Sequence, residues 1–140
     1  MAGIADTSSA LFGDVATNVA SALSVPVRFE GQDFDAPFDS DAPDAVWVEA
    51  WIHWHSDRHV ANQGARGRFR LRGELVLVVK ARSDTGTARV EQLADTIRRR
   101  YRGLAIGDLR IESCEARNAT RLAGYPQINL YASFYTDEVS

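Results

Sequence analysis

Apolar residues along the chain recur at two different spacings. Leu11, Phe12, Val15, Ala16, Val19 and Leu23 fall three or four residues apart, as do Val90, Leu93, Ala94, Ile97 and Tyr101. That spacing marks the buried stripe of an amphipathic helix. The first helix is expected over about 8–23, with Asp6, Thr7 or Ser8 as N-cap and Pro26 forbidding its continuation. The second belongs to TGTARVEQLADTIRRRYRG. Gly103 is placed to end it, and Arg98, Arg99, Arg100 and Arg102 suit the negative end of its dipole.

Elsewhere the period is two. VPVRFE alternates Val25, Val27 and Phe29. VWVEAWIHWH puts Val46, Val48, Ala50, Ile52 and Trp54 on one face, and Trp47, Glu49, Trp51, His53 and His55 on the other. RFRLRGELVLVVKA sets Phe69, Leu71, Leu75, Leu77 and Val79 against Arg68, Arg70, Arg72 and Glu74, with Val76 and Val78 continuing that second face. LRIESCEA opposes Leu109 and Ile111 to Arg110, Glu112 and Cys114. YPQINLYASFYTDE opposes Ile128, Leu130, Ala132 and Phe134 to Gln127, Asn129, Tyr131, Ser133 and Tyr135. Residues 31–45, rich in aspartate and broken by Pro37 and Pro43, read as a loop, and SDRHVANQGARG reads as another. The order is α-β-β-β-α-β-β. It predicts an α+β fold in which a mostly antiparallel sheet of about five strands carries both helices on one face. A chain of 140 residues suits one such domain, spanning 1–140.

The other sheet face then lacks a helix. It is expected to show Trp47, Trp51, His53, Val76, Val78, Tyr131 and Tyr135 among Glu49, Arg70, Gln127 and Asn129, unless a loop such as 31–45 folds over it. Several large aromatics with arginine on one face are the composition of a protein interface. Trp47, Trp51, His53, His55, Arg68 and Arg70 are therefore the candidate contact residues, and the 55–67 loop the candidate reach toward a partner. Charge is segregated too. Six acidic and no basic residues lie between Glu30 and Asp44, and five arginines with no acid between Arg58 and Arg72. Such segregation suits head-to-tail contacts that close a ring, although two solvated segments would look the same.

The totals exclude several classes. A net charge of −3 argues against general nucleic-acid binding. No stretch is apolar enough to span a bilayer, and the first residues do not have the form of a signal peptide. The lone Cys114 allows no internal disulfide and fits a reducing compartment. All three histidines lie in WIHWHSDRH. His53 and His55, with His59 or Asp57, could supply zinc ligands, so a small metal-binding protein is one alternative. The pair resembles the cupin H-x-H motif but lacks its framing glutamate and glycines, so a surface or interface role is the preferred reading, with no metal and no cofactor. DFDAPFDSDAPD lacks the glycine and terminal glutamate of a calcium loop. Phosphate-loop, dinucleotide and hydrolase motifs do not occur, Cys114 reads as structural, and no enzyme is expected.

The order of short matches has a counterpart. A V-P-V strand is followed by PFDSDAPDAVWVEAWI. A glycine- and arginine-bearing loop then leads into FRLRGELVLVVKA, a strand like R-x-x-G-x-L-x-V-x-V. A helix LADTIRRRYRGL and a closing strand YPQINLYASFYTDE complete the set. Over about 10–136 this resembles the tail terminator proteins of long-tailed bacteriophages and gene transfer agents, whose element order carries the likeness. Other neck and head-completion proteins share that size and architecture. The resemblance implies a homo-hexameric ring in the virion, assembled in the bacterial cytoplasm. The ring would cap the tail tube, end its polymerisation and meet the head-side neck connector, with DNA passing through unread. WIHWHSDRH is not part of the family pattern and is particular to this chain.

Overall fold

The computed structural model describes residues 3–31, 45–55, 58–61, 68–81, 87–117 and 126–139; for 58–61, 68–69 and 138–139 it describes the backbone alone. Helix α1 (Ile4–Val15) runs on through a π turn, Ala16–Ser21. The remaining elements are β1 (Val27–Phe29), β2 (Val46–Trp54), β3 (Arg58–Ala61), β4 (Arg68–Ala81), α2 (Thr87–Tyr101), β5 (Ala105–Ile106), β6 (Leu109–Arg117) and β7 (Gln127–Val139). The fold is α+β.

The sheet runs β1-β2-β4-β7-β6-β5, parallel between β1 and β2 and antiparallel elsewhere. β3 lies on the same side of β4 as β2. β2 pairs with Gly73–Ala81 and β3 with Arg68–Arg70, while the His55 N–H donates to the Arg72 carbonyl at 2.8 Å between them. Part of the expected 55–67 loop is therefore strand. Its polar side chains gave no alternation; the pairing comes from the backbone edge that the long β4 offers.

The core is one cluster. Leu11, Val15 and Val19 of the first helix and Val90, Ala94, Ile97 and Tyr101 of α2 are buried on one face of the sheet. They meet the cross-strand rows Ala50–Leu77–Leu130 and Ile52–Leu75–Ala132. Each such aliphatic side chain contributes about 1.5–3 kcal/mol by leaving water. Asp14 joins the helices, accepting from Arg100 at 2.7 and 3.1 Å and from the Tyr101 hydroxyl at 2.7 Å. Gly103, at φ +76°, lets the chain leave α2 in the left-handed conformation that suits glycine.

Three local expectations change. α1 starts four residues earlier than predicted, with Gly3 as its cap; Thr7 is buried in the first turn and its hydroxyl donates to the Gly3 carbonyl at 2.8 Å. A short hairpin, β5–β6, turns at Gly107–Asp108. In β6 the register slips between Ile111 and Ser113. The extra residue, Glu112, is a bulge that reverses the parity of the rest of the strand, so Cys114 sits in the core and not opposite Ile111.

Gly73 holds a position that no side chain could share. A Cβ there would lie 2.7 Å from the His53 carbonyl oxygen and 2.8 Å from the Phe134 ring. In the row Trp54–Gly73–Phe134 the two aromatic rings meet edge to face across the glycine, centroids 5.6 Å apart.

Candidate interaction face

The sheet face turned away from the helices is built from the alternate residues of β2, β4, β7 and β6. Register sets them in rows: Glu49–Val78–Asn129–Arg117, Trp51–Val76–Tyr131–Glu115 and His53–Glu74–Ser133–Ser113. Directly opposed side chains on one face interact, so these rows decide what the face offers.

Glu49 organises one end. Its carboxylate accepts from Lys80 at 2.9 Å and from the Trp47 indole N–H at 3.2 Å, with Arg28 at 3.7 Å. Burial pushes this carboxyl up, but the Lys80 and Trp47 bonds and the charges of Lys80 and Arg28 outweigh it, so Glu49 titrates below its ordinary value. Glu74 organises the middle. Its two oxygens meet His55 Nε2 at 3.8 Å and Arg117 at 3.4 Å, and Arg117 also lies 4.5 Å over the Tyr131 ring. One carboxylate thus ties the end of β2 to β6 across β7. At the far end Arg70 grips Asp137 with two bonds, 2.9 and 3.3 Å, and stacks 4.2 Å over Tyr135. Arg72 reaches Glu112 at 3.6 Å.

Arginine and carboxylate are therefore matched across this face. Arg70 and Arg72 of β4 are both paired with carboxylates of neighbouring strands.

The expected bare face is partly closed. Trp47, Val76 and Val78 are only 3%, 2% and 3% exposed. Val76 lies between Trp51 and Tyr131, and Val78 between Glu49 and Asn129, so larger neighbours flank each small side chain. The loop expected over 31–45 as a cover for this face lies, from 32 to 44, outside the described residues.

Of the sequence candidates, Trp51, His53 and His55 come together at the exposed end of β2, the imidazole centroids 5.2 Å apart. Arg70 lies beyond them on β4, committed to Asp137. Trp47 is buried at the opposite end of β2. The side chains of Arg68 and His59, and all of Asp57, lie outside the described residues. Trp51 is 37% exposed, and apart from Ile4 it is the exposed large hydrophobic among the described residues. It borders an open cleft of 290 Å³ lined by Arg28, Glu30, Glu49 and Ala50.

Among the described residues no group of three or more histidine, cysteine or acidic side chains is arranged to hold a metal ion. Burial pushes the Cys114 thiol up to about 11, so it is no thiolate at neutral pH. No described helix is long and apolar enough to cross a membrane. Sequence reasoning missed Glu30, Lys80, Glu74 and Arg117 as organisers of this face. Their partners lie 22 to 43 residues away, and only strand register brings them together.

No protein-family model matches the chain, and no curated protein matches it. A solved structure is similar over nearly the whole length, covering 94% of this chain and 95% of that one with a TM-score of 0.55 and 12% identity. At that identity the likeness shows a shared fold alone.

Proposed function

We propose that the chain is a structural ring protein of a virion, of the tail terminator type. Copies of it close into a hexamer that caps the tail tube, ends tube polymerisation and joins the tail to the head-side neck connector. The observation that carries this reading is where the resembling stretches fall. PFDSDAPDAVWVEAWI runs into β2, FRLRGELVLVVKA is β4, LADTIRRRYRGL ends α2, and YPQINLYASFYTDE is β7. They make the centre of the sheet and the helix that covers it. The glycine in FRLRGELVLVVKA is Gly73, which the Trp54–Phe134 contact requires.

The outer face supports the same role. Its charges are paired internally, as suits a surface past which DNA slides unread, and Trp51 is the apolar group left at the rim for a neighbour. Subunit contacts are assigned to Trp51, His53 and His55. The test is assembly of a cognate tail-tube protein with and without the chain. Capped tubes of limited length are expected. Tubes that grow to the same length with the chain in excess would overturn the proposal.

A further inference from the structure

We draw no further inference here: the strongest candidate, the exposed patch that Trp51, His53 and His55 form at the end of β2, belongs to the contact already proposed, and nothing among the described residues shows what covers it.

Discussion

The two faces of one sheet are sealed in different ways. Toward the helices, closure comes from aliphatic packing: Leu77 and Leu130 are fully buried in a row of small and branched side chains. On the opposite face, one residue along β4, Val78 is nearly as buried, but its row contains Glu49, Asn129 and Arg117. That face is closed by ion pairs and stacked arginines, which hold charge in place and leave Trp51 at the rim. Packing makes a core indifferent to sequence partners of the right shape. Paired charge makes a surface that is ordered and still available to another molecule.

Substitutions should separate the two faces. The largest effect is expected at Gly73, on the helix side of β4 between Trp54 and Phe134. Gly73→Ala drives a methyl into the His53 carbonyl and Phe134, and should cost about 3 kcal/mol or more, read by urea denaturation. Leu77→Ala should cost about 2–5 kcal/mol on the helix side, with Val78→Ala costing less; equal losses would erase the contrast. Asp14→Ala should cost about 1–3 kcal/mol by orphaning the Arg100 and Tyr101 donors.

Acid acts on the same bonds. Burial pushes the Asp14 carboxyl up, but bonds from Arg100, Tyr101 and Asn18 hold it below its ordinary 3.8, and Glu49 is held below 4.5. A carboxyl that is more acidic in the folded state adds stability above its unfolded value and loses it as pH falls through the folded one. Stability should therefore drop below about pH 4, and Asp14→Asn should flatten that drop in a pH series of melting temperatures. Trp51→Ala should have the smallest effect on stability, within about 0.5 kcal/mol. It should nevertheless reduce assembly, measured by sedimentation. A Trp51→Ala chain that assembles normally would remove this side chain from the contact.

The helix-covered face was legible because burial writes a period into the sequence. The alternation in VPVRFE, VWVEAWIHWH, RFRLRGELVLVVKA, LRIESCEA and YPQINLYASFYTDE and the stripes of the two helices placed nearly every core residue, Ala81 and Cys114 excepted. The outer face was not legible because its order lies between strands. Val76 and Val78 read as exposed from their position opposite Leu77, yet register sets them between larger side chains. Glu112 looked like one more outward residue in LRIESCEA, and nothing local marked it as the bulge that turns Cys114 inward. β3 carries no apolar alternation and exists through backbone pairing with β4. The hairpin at Gly107–Asp108 did carry a signal, a two-residue glycine–aspartate turn between short apolar runs. Of the candidate contacts, Trp51, His53 and His55 came together at one exposed strand end, while Trp47 went into the interior.

The central claim is that copies of this chain form a closed ring. Native mass spectrometry of the purified chain, alone and with tail-tube protein at several ionic strengths, tests it most directly. The account predicts a species of six copies, at the latest when the tube protein is present. A monomer or a dimer under every one of those conditions would contradict it.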